Sequence, residues 1–582
     1  MGNINLKING LDVCAPAGST ILDAAYLAGV KIPTLCYFKE INEIGACRIC
    51  VVEVKGARNL VAACVHPISE GMEVVTNSPA VIKSRRHTMQ LILSTHDKKC
   101  LSCVKSNHCE LQQMSQELGI ADENYFAGEM TEFAVDNSAV HMARDNNKCI
   151  LCRRCSAVCE KHQAVGVIGP NNRGFKTYIG SAFDMGLGET SCITCGQCIN
   201  VCPVGALYEK DSIDDVLAAI ADPTKHVVVQ PAPSIRAALG EEFGYPVGTD
   251  VEGKMAAALR RIGFDGVFDT CFAADLTIME ETQEFISRLN GKGKLPMFTS
   301  CSPGWVKFCE HYYPDLIEHL SSCKSPQQMF GGIVKTYYAE KQGLDPKDIV
   351  SVSVMPCTAK KYERQRDDQS AAGVPDVDLV ITTRELARMI RRVGLDFNRL
   401  PDEDFDNVMG ESTGGGIIFG ATGGVMEAAL RTAVEKLSGE ESAEINFNAV
   451  RGTDGIKEAT YNVAGTEVKV AITSGMVNAK KIMDKVRAGE ADYHFIEIMG
   501  CHGGCVTGGG QPQCTAEVWN TTDVKALRAK VLYDIDEAKP FRKSHKNPSI
   551  IKLYDEYLGE PGGEKAHHIL HTTYVKRQVN ER

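Results

Sequence analysis

The sequence predicts a multidomain fold, α+β over the first third of the chain and α/β over most of the rest, with a small helical extension at the end. Three observations carry that reading. At 582 residues the chain has room for about four domains of ordinary size. Many of its 24 cysteines stand two or three residues apart, a spacing that belongs to metal-holding loops. Past residue 210, apolar runs such as His226–Val229 and Ile349–Met355 alternate with helical stretches such as Ala273–Leu289, the texture of an α/β domain. The divisions expected are 1–79, 80–140, 141–210, 211–520 and 521–582.

Composition narrows the class. Hydrophobic residues at 44% and charged residues at 24% are ordinary globular values, against a disordered or fibrous chain. The 74 acidic and 63 basic side chains leave a net charge of −11, the wrong sign for a surface that binds phosphate, so nucleic acid is not an expected partner. No run of 18 apolar residues occurs, so no membrane span is expected. The opening MGNINLKING lacks the basic and apolar regions of a secretory signal, and Leu6 spoils a myristoylation pattern. A cytoplasmic protein is expected. Cysteines in a long chain of that compartment are more often metal ligands than disulfides, and their number implies several centres.

In order along the chain, Ile4, Leu6 and Ile8 alternate, Asn9-Gly10 supplies a turn, and Leu11 and Val13 resume the pattern, which predicts a hairpin. Thr20 three residues before Asp23 signals a helix start, and Gly29 its end. A cysteine-rich loop and the strand-like Val51–Val54 complete a small β-rich module. Residues 80–140 look more helical and polar. Residues 145–210 contain an internal repeat of a cysteine-rich dozen. The tail after about 520 is charged and helix-prone.

The repeat is the most specific local signal. Cys149-x2-Cys152-x2-Cys155-x3-Cys159 is followed by Cys192-x2-Cys195-x2-Cys198-x3-Cys202-Pro203. This is the bacterial two-cluster ferredoxin pattern, in which the fourth cysteine of each run serves the other cluster. Three thiolates on a tight loop reach three corners of a 4Fe–4S cube, and a distant one closes the fourth. Cys149, Cys152, Cys155 and Cys202 would hold one cluster, and Cys159, Cys192, Cys195 and Cys198 the other. Paired structural zinc sites are the competing reading, but they favour two cysteine pairs. Cys36, Cys47, Cys50 and Cys64 lie in the β-rich module, a 2Fe–2S arrangement that departs from the plant spacing, with structural zinc again the alternative. His96-x3-Cys100-x2-Cys103-x5-Cys109 fits a zinc site of three thiolates and one imidazole on spacing alone, whereas its place between two iron–sulfur modules points to a His-ligated 4Fe–4S cluster. His108 competes with His96 as the nitrogen ligand.

Three loops of the large domain carry the remaining block: Thr299-Ser-Cys301-Ser302-Pro-Gly-Trp305, Met355-Pro-Cys357-Thr-Ala-Lys360-Lys-Tyr-Glu363, and Glu497-Ile-Met499-Gly-Cys501-His-Gly-Gly-Cys505-Val-Thr-Gly-Gly-Gly-Gln-Pro512. Each sets cysteine beside glycine or proline, where backbone can approach a cofactor closely. Cys14, Cys271, Cys309, Cys323 and Cys514 read instead as isolated buried thiols.

At these loops the sequence resembles the iron–iron (FeFe) hydrogenases, whose signatures are T-S-C-C-P-x-W, M-P-C-x-x-K-x-x-E and E-x-M-x-C-x-x-G-C-x-x-G-G-G-Q-P. Two are matched throughout and the first has one departure. With the upstream modules, the resemblance covers essentially the whole chain. It is similar to the long clostridial-type enzymes and to the catalytic subunit of NAD(P)-linked, often electron-bifurcating, hydrogenase complexes. It implies a β-grasp 2Fe–2S domain, a domain whose cluster is held by one histidine and three cysteines, a domain with two 4Fe–4S clusters, and a large α/β catalytic domain with a small-subunit-like helical extension. The cofactors implied are one 2Fe–2S cluster, three 4Fe–4S clusters and an H-cluster. The last is a cubane joined through one cysteine to a two-iron unit carrying CO, cyanide and a dithiolate amine, and it interconverts H2 with two protons and two electrons.

Carried over to this chain, Cys357, Cys501 and Cys505 are cubane ligands, with Cys505 the bridge. Lys360 donates to one cyanide, Ser234 and Gln327 line the other side, Met355 and Met499 pack around the unit, and Phe419 walls it. The departure is at Cys301-Ser302, where the family has adjacent cysteines, the first relaying protons and the second ligating. Sulfur is the better iron ligand, which favours Cys301 as ligand with Ser302 as a hydroxyl relay. The converse makes Cys301 the relay and gives the fourth corner to Ser302 or a solvent oxygen. Glu281, Glu284 and Arg288 share a helix face by spacing, as a solvated ion-pair array would. The resemblance places them with Ser321 on the proton route.

Neither G-x-G-x-x-G nor G-x-x-x-x-G-K-[ST] occurs, so there is no nicotinamide or P-loop fingerprint. The implied partners are ferredoxin, or a flavin- and NAD(P)-binding subunit in a hetero-oligomer, together with maturation proteins that insert the two-iron unit. A slow hydrogen sensor, an electron-transfer protein and an iron–sulfur assembly relative are the alternatives. No signalling domain supports the sensor, and Lys360 and Cys505 in intact loops weigh against the assembly relative.

Overall fold

The computed structural model describes residues 2–126, 130–407, 409, 411–442, 445–452, 455–463 and 465–579. The amino-terminal hairpin pairs Asn3–Ile8 with Leu11–Pro16 in antiparallel register. Asn9 and Gly10 turn it with φ of 51° and 83°, the left-handed pair that a two-residue hairpin needs. Strand Asn3–Ile8 also runs parallel to Glu73–Val75, which pairs with Val51–Val54, so five strands form one mixed sheet. Helix Ile21–Leu27 starts at a capping box between Thr20 and Asp23 and buries Ile21, Leu22, Ala24 and Ala25 in the module's core. Leu11, at the turn, is exposed.

Helices Pro79–Leu93 and Glu110–Glu117 follow. The internal repeat becomes two helices, Arg154–Lys161 and Gln197–Asn200, each entered through a left-handed residue, Arg153 and Gly196. Strands Met142–Arg144 and Leu207–Glu209 close the module as an antiparallel pair.

Two buried side chains fasten the three small modules together. Asn42 Nδ2 donates to the carbonyls of both Cys36, at 2.8 Å, and Cys152, at 3.0 Å. The Arg154 guanidinium donates to Glu110 at 2.9 and 3.1 Å and to the Tyr37 carbonyl at 3.2 Å. Removing one partner of a buried ion pair strands the other charge, at a cost of about 3–5 kcal/mol. Arg154→Ala is therefore expected to loosen residues 36–42 and 110–117. Amide hydrogen exchange would show the loosening, and unchanged protection there would contradict it.

The large domain is built on two four-stranded sheets. One has the order Gly266–Val267, His226–Pro231, Ile349–Met355, Leu379–Thr382, all parallel. The other runs Met297–Phe298, Phe495–Met499, Thr466–Ser474, Ile456–Val463, parallel except for the last hairpin. Parallel strands covered on both faces read as unbroken apolar runs, as Ile349–Met355 does. Helix Thr270–Leu289 is buried along most of its length. The carboxyl-terminal segment is tied in by buried ion pairs, Arg431 with Asp536 and Arg528 with Glu241. Among the described residues no helix is long and apolar enough to cross a membrane.

Candidate metal centres and active site

Ligand sites in parallel α/β sheets form beyond the carboxyl ends of the strands, and both sheets deliver their loops there. Pro231 leads to Ser234, Phe298 to Cys301, Met355 to Cys357 and Met499 to Cys501. These loops line a cavity whose wall includes Cys301, Ser302, Cys357, Cys501 and Cys505. Ser234, Gln327, Met355, Lys360, Phe419 and Met499 line it as well. Every pocket residue expected from the sequence is thus in one place. The Gly508–Gly510 run explains itself here. A β-carbon on Gly509 would lie 2.0 Å from the Cys195 carbonyl oxygen, and one on Gly508 2.2 Å from that of Pro356.

The pocket suits a thiolate-bound metal group. Burial pushes the Cys501 and Cys301 thiols up to about 12. Burial and then the nearby thiols of Cys501, Cys357 and Cys301 push Cys505 well up. Such thiols ionise only against a metal. The Ser234 hydroxyl is fully buried with no hydrogen-bond partner, a donor held ready for a ligand.

Lys360 is not a surface lysine. It is 8% exposed and donates to the Glu363 carboxylate at 2.9 Å and to the Cys301 carbonyl at 3.1 Å. Glu363 also accepts from Ser325 at 2.8 Å and Gln327 at 3.0 Å. The Gln327 amide is fixed in turn by Ser353, which donates to its Oε1 at 2.8 Å. Glu497 accepts the backbone N–H groups of Gly423 and Met426 at 2.6 and 2.7 Å. It thereby pins the amino end of helix Gly424–Ser438, just past Phe419, to the strand that ends at Met499. Roles for Glu363 and Glu497 were not read from the sequence, although both stand inside its motifs.

The two ends of the Cys301-Ser302 loop face different ways. Ser302 Oγ accepts the Gly500 N–H at 3.1 Å, beside Cys501. Cys301 feels burial first, then the Glu281 carboxyl and Lys360. Glu281 is buried, and desolvation followed by Glu284 and Glu497 raises its pKa to about 8. Ser321 hydrogen-bonds Glu281 and donates to Glu284 at 2.9 Å. Arg288 holds Glu284 at 2.6 Å, and the Glu284 side chain is 16% exposed. Glu281, Ser321, Glu284 and Arg288 thus form a connected carboxyl and hydroxyl series, and Glu281 at its inner end influences Cys301. A side branch was missed in the sequence. Ser322 Oγ lies 2.8 Å from His571 Nδ1 and 3.2 Å from Glu284, and His571 Nε2 lies 3.0 Å from Glu280. No sequence signal announces a contact spanning 249 positions.

Upstream, the thiols of the repeat lie close to one another, with Cys155 also sensing Cys198, and Cys198 also sensing Cys202. Burial raises Cys155 most, followed by Cys152, Cys202 and Cys149, and burial raises Cys198 before Cys192 and Cys159. In the first module Cys47 N–H points to Cys36 Sγ at 3.4 Å, and Cys50 and Cys64 sulfurs lie 3.3 Å apart. His96 is 8% exposed with Nδ1 unpartnered, and burial holds its pKa down to about 4. It is a neutral nitrogen available to a metal, whereas His108 is exposed. The Cys109 thiol points at the Pro203 carbonyl, 3.8 Å away. The second ferredoxin loop abuts the pocket: Thr358 donates to the Thr194 carbonyl at 2.8 Å and Gln197 to that of Thr507 at 2.9 Å. Burial, then Cys198 and Cys501, raises Cys195. Of the thiols set aside as isolated and buried, Cys14 is exposed. It lies on the outward face of its hairpin strand.

Cysteine quartets along the chain, followed by a buried three-loop thiol pocket, define a multicentre iron–sulfur oxidoreductase. Family profiles match in the same order: a 2Fe–2S iron–sulfur cluster binding domain over residues 2–79, the NADH-ubiquinone oxidoreductase-G iron–sulfur binding region over 85–124, and a 4Fe–4S dicluster domain over 148–206. The iron-only hydrogenase large subunit, C-terminal domain, covers 225–509, and the iron hydrogenase small subunit 522–577. The NADP-reducing hydrogenase subunit HndD of Solidesulfovibrio fructosivorans is 51% identical, over 99% of this chain and 100% of that one. Iron hydrogenase 1 of Clostridium pasteurianum is 44% identical, over 98% and 99%. Among solved structures, the apo [FeFe]-hydrogenase HydA1 of Chlamydomonas reinhardtii is 44% identical with a TM-score of 0.57, covering 63% of this chain and 100% of that one. The chain belongs to the FeFe hydrogenases. It is an oxidoreductase that carries 2Fe–2S, 4Fe–4S and H-cluster domains.

Proposed function

We propose that this chain is the hydrogen-converting subunit of an NAD(P)-linked hydrogenase, passing electrons from the pocket through the second and first ferredoxin-type quartets to a flavin-bearing partner. The observation that carries this is the pocket itself, walled by thiols from three loops and abutted by Cys195 of the nearer quartet. Cys357, Cys501 and Cys505 would hold the cubane of the H-cluster, and the two-iron unit supplies the centre at which H2 is split or formed. The residues around it orient and insulate. Lys360, steadied by Glu363, offers an ammonium donor. Ser234 offers its unpartnered hydroxyl. Met355, Phe419 and Met499 exclude water. Electrons would enter or leave through the 2Fe–2S module, where Asn42 links the backbones of Cys36 and Cys152, and through the module of His96, Cys100, Cys103 and Cys109. The likeness to HndD supports the partner.

The position of Cys301 beside Glu281, with Ser302 hydrogen-bonded next to Cys501, supports Cys301 as the proton relay and an oxygen ligand at the fourth corner. This reverses the order that ligand softness alone favours. Cys301→Ala is then expected to keep the full iron content and lose about 10²–10⁴-fold in turnover, the usual worth of a positioned acid–base group. Loss of cubane iron would return Cys301 to the ligand role.

The isolated chain is expected to reduce a viologen dye with H2 but not NADP+, and to reduce NADP+ only with its flavin subunit added. Failure with the dye contradicts the hydrogenase reading. Reduction of NADP+ by the chain alone contradicts the partner.

A further inference from the structure

His141 is 1% exposed, and neither of its ring nitrogens has a hydrogen-bond partner. Arg144, three residues on and also buried, pairs one nitrogen, NH2, with Asp136 at 2.9 Å while Nε and NH1 have no partner. Buried donors left unsatisfied cost about 1–3 kcal/mol each, and native structures keep very few of them without a reason. Both residues line one cavity, and its other walls include Cys159, Cys192, Cys195 and Cys198. Val158, Val165, Val167, Ile168 and Leu207 share the same walls with Gln163 and Gln197, and although the Gln163 Oε1 acceptor is also unpartnered, no protein acceptor meets the His141 nitrogens or Arg144 Nε and NH1.

We propose that His141 and Arg144 donate N–H hydrogen bonds to the iron–sulfur cluster held by Cys159, Cys192, Cys195 and Cys198, raising its reduction potential. The inference rests on the ligand assignment proposed above. Sulfur atoms of a cluster are acceptors, and donors to them stabilise the reduced, more negative form. A neutral imidazole carries one N–H, which suffices. The Arg144 guanidinium adds a fixed positive charge. This quartet is the one against the catalytic pocket, through Thr194 and Cys195. A raised potential there keeps an electron beside the site of hydrogen chemistry rather than in the outer modules.

The test is an EPR-monitored redox titration of the full-length protein with its clusters loaded and its iron counted. His141→Leu should move the midpoint of one 4Fe–4S signal to lower potential and leave the others in place. His141→Asn, which keeps a donor, should restore most of the shift, and Arg144→Gln should move the same signal. Should His141→Leu fail to assemble that cluster, native protein grown with 15N-histidine decides the matter. A weakly coupled histidine nitrogen on a 4Fe–4S signal, apart from the strong coupling of a ligand imidazole, supports the proposal. Full iron content with no shift in any midpoint, or no weakly coupled histidine nitrogen, overturns it. Absence of cubane signals and iron would instead overturn the ligand assignment beneath it.

Discussion

Glu281→Gln is expected to leave every cluster in place and lower hydrogen turnover by about 10²–10⁴-fold, the range for removal of a positioned acid–base group. The amide is nearly the same size and keeps the hydrogen bond with Ser321, so the fold has no reason to move. What it cannot do is take a proton from one side and release it on the other. Burial, then Glu284 and Glu497, raises the Glu281 pKa to about 8, so the carboxyl is protonated at neutral pH and ready to donate inward. Hydrogen production should therefore decline as pH rises through about 8, where Glu281 loses its proton, and that decline should be absent from the residual activity of the variant. Rates measured from mildly acidic to alkaline pH with dithionite-reduced dye, beside an iron count, check both statements. Native turnover in Glu281→Gln would remove the residue from the route.

Cys505→Ala is expected to abolish hydrogen turnover altogether. The Cys505 thiol senses Cys501, Cys357 and Cys301, which puts it at the meeting point of the three loops, and its neighbour Gly504 lies against the backbone of Thr422. Loss of this sulfur would remove a thiol that would hold the cubane and join it to the two-iron unit. The upstream clusters, held by other cysteines, should keep their EPR signals. Cys309→Ala is the control: Cys309 is a buried thiol away from the pocket, its sulfur 3.6 Å from the Tyr313 carbonyl, so activity should survive. Turnover in Cys505→Ala would contradict the pocket assignment.

Much of this molecule is legible from local spacing, for a physical reason. Three thiols on one tight loop can reach one cube whatever surrounds them, so Cys149 to Cys159 and Cys192 to Cys202 announce themselves by spacing. The hairpin at Asn9-Gly10 and the helix start at Thr20 are equally local. The pocket loops were readable through their motifs, although spacing alone did not reveal that both sheets end at one cavity. What stayed hidden depends on tertiary approach. Glu363 acts through Lys360, Gln327 and Ser325, which come from two separated segments. Glu497 works by accepting N–H groups from a helix more than 70 positions away. His571 reaches Ser322 from the far end of the chain, and His141 becomes notable only because nothing in the fold answers its nitrogens. At Cys301-Ser302, ligand chemistry and position point in opposite directions, and position became visible only when Glu281 and Gly500 were seen beside the loop.

Cys357, Cys501 and Cys505 converge on one cavity, where an organometallic iron centre is expected. Infrared spectroscopy of the purified, matured protein tests it most directly, because metal-bound CO and cyanide absorb where protein does not. Both sets of bands are expected, together with iron in excess of what the upstream quartets hold. A protein with intact upstream clusters that shows neither band, and zinc in the pocket, would contradict it.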